Sequence, residues 1–342
     1  MNKPLLDLLN GETLSFEDSA RLFSHVVKGD MSDVAITSLL VAMKVRGETP
    51  AEIAGAAHAL RLHSEEFSRP SYQYADCCGT GGDGTSTINI STIVAFVSAA
   101  AGLPVAKHGN RSVSSKCGSA DVLEASGIAL DLEADAARTA LDENGFCFLF
   151  APHFHKGVRH VMPVRNELAT RTVFNLLGPL INPARPPVQL MGVYDPALCN
   201  PAAQTLNLLG VERAIVVHGS GLDEVAVHGP TRASIVINGD VRDLTLTPED
   251  FGLKIYDMSA ITGGEVDENL VIMRRILDGK GTDAQNAYVA ANAGALLHVA
   301  GLVSSFRDGA ELAVELLKNG RAKARFERAA TFSKAPLAEA CA

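Results

Sequence analysis

The sequence predicts an α/β protein in which a small all-helical N-terminal domain precedes a larger α/β domain with a mostly parallel sheet. Three observations carry this. The first seventy residues show apolar spacings of the helical kind only. From residue 72 onward, short apolar runs are followed by glycine and then by a helix-forming stretch, the mark of parallel strands joined by crossover helices. A chain of 342 residues also exceeds what one core usually supports.

In the helical segment, Phe16, Ala20, Phe23 and Val27 recur at helical spacing, and so do Ile36, Leu39, Leu40 and Met43. Thr49-Pro50-Ala51-Glu52 reads as a capping box with proline at the first helical position, and Ile53, Ala57 and Leu60 follow at core spacing. Arg69-Pro70-Ser71 ends the segment. Strands are then predicted at 72–78, 104–107, 146–150, 189–194 and 213–218, with helices at 90–101, 119–126 and 200–209. The interval 163–187, rich in proline, asparagine and charge, reads as an excursion out of the sheet. The expected division is therefore 1–70, joined by about 163–187, and 71–342.

Composition narrows the function. The chain is 47% hydrophobic and 20% charged, an ordinary globular balance that argues against disorder. With 30 Lys and Arg against 39 Asp and Glu, the net charge is −9, which argues against a nucleic-acid partner held through backbone phosphates. A small anionic substrate is compatible, because a few local N–H groups and cations outweigh net charge. The start, Met1-Asn2-Lys3-Pro4-Leu5, lacks the apolar core of a signal peptide, and no apolar run of about 18 residues occurs. A cytoplasmic protein with no membrane partner is expected. The cysteines at 77, 78, 117, 147, 199 and 341 fit neither a paired zinc spacing nor a redox pair, so reduced thiols are expected.

Three stretches carry chemistry. Gly79-Thr80-Gly81-Gly82-Asp83-Gly84 follows a predicted strand and leads to Asn89-Ile90-Ser91-Thr92 at a helix start. Glycines let backbone N–H groups converge on an anion, and the helix N-terminus adds its positive end. Thr87, Asn89, Ser91 and Thr92 would complete such a phosphate cradle, although a plain glycine-rich turn looks the same without a Walker lysine or a dinucleotide fingerprint. Lys107-His108-Gly109-Asn110-Arg111-Ser112-Val113-Ser114-Ser115, running on to Ser119, is a second loop rich in cations and hydroxyls after the next strand. Consecutive strand-to-helix loops face one crevice. Gly221-Leu222-Asp223-Glu224 places two adjacent carboxylates after a further strand, a pattern that suits Mg²⁺ beside phosphate oxygens and that, alone, is more often a solvated turn.

GTGGDGTSTINIST, KHGNRSVSSKCGSADVLEASG and HVMPVRNELATRTVFNLLGPLINPA together resemble the anthranilate phosphoribosyltransferase family, and the likeness runs from about Val41 to His298. The resemblance implies the two-domain fold of nucleoside phosphorylases and phosphoribosyltransferases, a homodimer, and a cleft between the domains. It implies that Gly79, Gly82, Asp83, Thr87, Asn89, Ile90, Ser91, Thr92, the loop Lys107, His108, Gly109, Asn110, Arg111, Ser112, Val113, Ser114, Ser115, and Ser119 bind phosphoribosyl pyrophosphate. Arg165, with Gly79, His108 and Asn110, would hold anthranilate, the guanidinium gripping its carboxylate by two parallel hydrogen bonds. Two Mg²⁺ ions would sit on Asp223, Glu224 and Ser91. No classical acid or base is implied. The expected reaction moves the phosphoribosyl group to the anthranilate amine in tryptophan biosynthesis.

One departure bears on acceptor preference. Relatives often read His-Pro-Ala-Met-Lys-His where this chain has His155-Lys156-Gly157-Val158-Arg159-His160. Two rivals fit less well. A pyrimidine nucleoside phosphorylase has a different loop in place of 107–115 and no need of an Asp-Glu metal pair, and a nucleic-acid-binding relative should carry a basic groove.

Overall fold

The computed structural model describes residues 3–112 and 116–333. Val113, Ser114 and Ser115 of the second loop, and Cys341, lie outside the described residues.

Helices Lys3–Leu9, Phe16–Lys28, Asp33–Arg46 and Pro50–Leu62 form the N-terminal part. The predicted capping box is present at the last of them: Thr49 Oγ1 accepts from the Glu52 N–H at 3.3 Å, and the Glu52 carboxylate accepts from the Thr49 N–H at 2.8 Å. Glu52 has no exposed surface and also accepts from the Leu14 N–H at 2.8 Å and pairs with Arg46. It is thus a tie between helices as well as a cap.

The second part is a seven-stranded sheet among the described residues: β1 (Ala75–Gly79), β2 (Val105–Gly109), β3 (Phe146–Phe150), β4 (Val188–Gly192), β5 (Arg213–Gly219), β6 (Thr231–Ile237) and β7 (Asp240–Leu246). The spatial order is β3-β2-β1-β4-β5-β6-β7, parallel from β3 to β5 and antiparallel from β5 to β7. The parallel strands fall where expected, within three residues at each end. The β6–β7 hairpin escaped the prediction. Its signal was readable, because Asn238-Gly239 adopts φ 50° and 94°, the left-handed pair of a two-residue hairpin turn.

Alternate strand residues face different cores, as the pleat requires. Val188, Leu190, Ile215 and Val217 join a large core with the helices Ile90–Ala100 and Asp283–Val299. Met191, Val193, Ala214 and Val216 join the other face, where Phe23, Leu39, Leu40 and Met43 of the N-terminal helices pack. Val161, Val164, Phe174, Leu177 and Leu180 lie in that same core. The excursion therefore wedges between the helical part and the sheet.

Candidate active site

The chain runs from β1 to β2 to β3 in one direction and from β4 to β5 in the other, so the sheet order reverses between β1 and β4. Such a switch point opens a crevice at the carboxyl ends of the strands. β1, β2, β4 and β5 all end in glycine, and three of these ends, Gly79, Gly192 and Gly219, are closely approached by the acidic turn. A Cβ on Gly79 would meet Asp223 Oδ2 at 2.0 Å, and one on Gly192 would meet the Asp223 carbonyl oxygen at 1.5 Å. The glycines admit the turn that carries Asp223 and Glu224.

The crevice is lined by Cys78, Gly79, Ser91, Gly192, Asp223 and Glu224, with Asn292 from the helix Asp283–Val299. Above it, Gly81 donates its N–H to Asp223 Oδ2 at 2.7 Å, and Asp83 accepts from the Thr85 N–H at 2.9 Å and from the Thr85 hydroxyl at 2.7 Å. Burial raises the Asp223 and Glu224 carboxyls above the carboxylate range, and repulsion among Asp83, Asp223 and Glu224 adds to it. Glu224 Oε2 is buried without a hydrogen-bond partner among the described residues. Crowded, desolvated carboxylates with an unsatisfied oxygen fit a hard divalent cation. Among the described residues no three acids, histidines or cysteines close on one point, so Asp223 and Glu224 leave part of such a cation's coordination to water or ligand oxygens.

Ser91 lies in the first turn of Ile90–Ala100, where unpaired N–H groups and the helix dipole favour an anion. Its hydroxyl accepts from Lys107 Nζ at 3.0 Å, and Lys107 also donates to the Cys77 carbonyl at 2.6 Å. Lys107 is only 1% exposed, so its charge acts from below the crevice. Asn89 donates to the Cys117 carbonyl at 3.1 Å, which joins the first loop to the start of Ser119–Ser126. Thr87 bridges Thr262, and Ile90 and Thr92 are buried. Thr92 therefore presents no surface to a ligand here.

His108, nearly buried, directs Nδ1 at the Gly178 carbonyl, 3.1 Å away. Nδ1 must carry the proton, and Nε2 remains buried without a partner among the described residues. Burial, then neighbouring His155, holds its pKa well below the ordinary histidine value. The two rings meet edge to face at 5.2 Å. Arg165, on the short helix Met162–Leu168, lies over the Phe174 ring at 5.4 Å and makes no ion pair with a described acid. Its charge is left for something else.

Arg111 is turned away, paired with Glu124 at 2.7 Å and Asp121 at 3.1 Å. Asn110 accepts from the Arg111 N–H at 2.7 Å through its side chain, and Ser119 donates to the Asn110 carbonyl at 3.4 Å. The Ser112 N–H donates to Asp121 at 3.1 Å, and a Cβ on Gly109 would press on Ser119 Oγ at 2.5 Å. Residues 109–112 are thus held against the helix Ser119–Ser126 rather than against Asp223.

Three residues went unnoticed in the sequence. Arg171 donates to the Gly82 carbonyl and lies 4.1 Å from the Tyr194 ring centre, so the excursion pins the glycine loop. Asp76, wholly buried in β1, accepts from Asn182 at 2.8 Å and from the His108 N–H at 3.4 Å. An acid inside an apolar strand was the signal for Asp76. The contacts of Asn182 and Arg171 span about a hundred residues and left no local trace.

The helical bundle and the mostly parallel sheet, with its crevice at the switch point, have the architecture of a two-domain glycosyltransferase. Residues 71–323 match the family model described as glycosyl transferase family, a/b domain, and residues 4–64 match its helical bundle domain. The anthranilate phosphoribosyltransferase of Sorangium cellulosum is 54% identical over 96% of this chain and 94% of its own length. Among solved structures, that enzyme from Thermus thermophilus superposes with a TM-score of 0.93 at 42% identity, covering 97% of this chain and 99% of the other. The Saccharomyces cerevisiae enzyme in complex with PRPP and Mg gives 0.87 at 27% identity, with 97% and 98% covered. The yeast enzyme is also known with 4-fluoroanthranilate, at 0.86 and 27%, with 97% of each chain covered. The chain belongs to the anthranilate phosphoribosyltransferase family.

Proposed function

We propose that this chain transfers the 5-phosphoribosyl group from phosphoribosyl pyrophosphate to the amine of anthranilate, giving N-(5-phosphoribosyl)anthranilate and pyrophosphate in tryptophan biosynthesis. The observation that carries this is the meeting of a glycine loop, a helix N-terminus, buried Lys107 and the Asp223–Glu224 pair at the switch point. The Thr80 and Gly81 N–H groups are taken by the Gly192 carbonyl and Asp223, so the N–H groups of Gly82, Asp83 and Ser91 would take phosphate oxygens, with Gly79, Thr87, Asn89, Ile90 and Thr92 shaping the cradle. The loop from Lys107 to Ser115, with Ser119, would cover the other side. Because Arg111 is spent on Asp121 and Glu124, the loop would have to release it for the guanidinium to reach phosphate.

Asp223, Glu224 and Ser91 would hold two Mg²⁺ per subunit, which when bound offset charge on the pyrophosphate leaving group. The chain's own residues do the rest. The bond from ribose C1 to the pyrophosphate oxygen breaks through an oxocarbenium-like state, and Lys107 with the fixed N–H dipoles opposes the charge that builds on that oxygen. Arg165 would orient the acceptor through its carboxylate, with Gly79 and Asn110 beside it. Neutral His108 can accept a hydrogen bond at Nε2 from the amine. An aniline-type amine is neutral at pH 7, so its lone pair is available without a strong base, and positioning supplies much of the rate.

The division into residues 1–70, joined by about 163–187, and residues 71 onward is supported by Val164, Phe174, Leu177 and Leu180 sharing a core with Phe23, Leu39, Leu40 and Met43, a core that also takes in Met191 and Val216 of the sheet. A homodimer is supported by apolar side chains left in solvent on the outer helices, among them Leu6, Leu9, Val34 (77% exposed) and Val45 (81%). A cytoplasmic location suits the composition, and among the described residues no helix is long and apolar enough to cross a membrane. The direct test is loss of anthranilate fluorescence with phosphoribosyl pyrophosphate and Mg²⁺. Folded protein that consumes no anthranilate under those conditions would overturn the assignment.

A further inference from the structure

We propose that His218 is a positioning residue for the acidic turn, holding in place the backbone that presents Asp223 and Glu224; this rests on the reading of that pair as metal ligands. β5 ends at Gly219, and the chain reverses through Ser220 and Gly221 at φ 48° and 101°. The turn is closed by two mutual hydrogen bonds, Gly219 N–H to the Leu222 carbonyl at 2.9 Å and Leu222 N–H to the Gly219 carbonyl at 3.1 Å. A left-handed conformation is unusual for serine and persists only where its surroundings enforce it.

The surroundings here are side chains. His228 places Nε2 at 3.1 Å from the Ser220 carbonyl, and the Ser220 hydroxyl donates to the Pro230 carbonyl at 2.7 Å. His218 spans the gap between the turn and the sheet. Its Nδ1 lies 2.8 Å from the Val193 carbonyl just past β4, and its Nε2 accepts the Gly221 N–H at 3.2 Å. A nitrogen facing a carbonyl must bear the proton, and one facing an N–H must offer its lone pair, so the ring is the neutral Nδ1–H form. Both ring nitrogens are used, and neither touches a carboxylate among the described residues. On the far side, Asn292 accepts from the Val225 N–H at 2.9 Å and donates to the Val225 carbonyl at 3.0 Å. Leu222, Asp223 and Glu224 are therefore suspended between a tether at Gly221 and a tether at Val225.

The test uses His218→Asn and His218→Gln in the full chain. Asparagine carries an amide to the Nδ1 position and can serve Val193, whereas glutamine reaches the Nε2 position and can serve Gly221. Mn²⁺ binding in the presence of phosphoribosyl pyrophosphate, read from loss of the free-ion electron paramagnetic resonance signal against a protein-free mixture, measures the metal directly. Turnover gives the half-saturating Mg²⁺ alongside. His218→Asn should raise the Mn²⁺ Kd and the half-saturating Mg²⁺ about tenfold, the usual scale for a group that orients metal ligands, with kcat at saturating metal within about twofold of wild type. His218→Gln should stay within about threefold of wild type in metal affinity. Wild-type metal affinity in His218→Asn, or an equal shift in both variants, overturns the proposal. Should His218→Asn fail to fold, His218→Gln decides it by the same threefold limit. Asp223→Asn/Glu224→Gln, run in parallel, separates the two levels. Unchanged Mn²⁺ binding there would defeat the ligand reading itself, whereas loss there with unchanged binding in His218→Asn defeats the positioning role alone.

Discussion

Substituting Gly79 tests the site where a strand end lies against the Asp223 side chain. In Gly79→Ala the new Cβ would sit 2.0 Å from Asp223 Oδ2 and 2.8 Å from Cγ, so the carboxylate must swing away and surrender its 2.7 Å hydrogen bond from the Gly81 N–H. The backbone can stay, since φ at Gly79 is not in the left-handed region. Overpacking of this kind costs about 1–3 kcal/mol, and the lost bond to a charged acceptor is of similar size. For a chain of this length the melting temperature should fall by roughly 2–10 °C. The functional cost should be larger, because Asp223 is moved off its place: half-saturating Mg²⁺ should rise at least about tenfold. Gly192→Ala is the contrast. Its Cβ would lie 1.5 Å from the Asp223 carbonyl oxygen and 2.4 Å from the carbonyl carbon, and no side-chain rotation relieves a clash with backbone, so it should fail to accumulate as folded protein. Initial rates across a Mg²⁺ series, with calorimetric melting of the same samples, decide the matter. A folded Gly79→Ala enzyme with wild-type Mg²⁺ dependence would refute the reasoning.

Three further outcomes are expected. Arg165→Ala should raise the KM for anthranilate far more than that for phosphoribosyl pyrophosphate, by roughly ten- to hundredfold in kcat/KM, with partial rescue by lysine and poor use of aniline by the wild type; unchanged anthranilate kinetics would remove the carboxylate role. Burial pushes the His155 pKa down to about 4, below its unfolded value near 6.5, so its contribution is fully present above pH 6.5 and is lost as pH falls toward 4. That difference is worth roughly 3 kcal/mol, and thermal melts of His155→Asn between pH 7 and pH 4.5 should show a shallower loss than wild type, an equal slope counting against the assignment. Glu52→Ala strands Arg46 and the Leu14 N–H that the carboxylate now satisfies, and breaking a buried pair costs about 3–5 kcal/mol; urea unfolding at pH 7 should reveal it, and a change under about 1 kcal/mol would show that the cap is replaceable.

Glu52 also shows what local sequence conveys and where it stops. The box Thr49-Pro50-Ala51-Glu52 was readable because its partners are three residues apart. The same carboxylate's bond to Leu14, 38 residues away, was not. The parallel strands were legible for the same reason, as apolar runs punctuated by glycine. The β6–β7 hairpin carried its Asn-Gly signal but alternates exposed and buried positions less cleanly in β7, the edge strand, and was passed over.

By itself the sequence determined the helical part and the parallel-sheet part, the two glycine- and hydroxyl-rich loops, the acidic pair and the family they resemble, because each depends on neighbouring residues or fixed spacing. Tertiary structure alone decided which of these meet. Strand order placed the switch point between β1 and β4, which brings Asp223 onto Gly79 across 144 positions of chain. It also set Arg111 against Glu124 and Asp121, left Arg165 over Phe174 with no acid among the described residues in reach, and laid Arg171 across the glycine loop. A charged side chain pairs with whatever the fold places within reach, and that reach is fixed by packing between elements far apart in sequence.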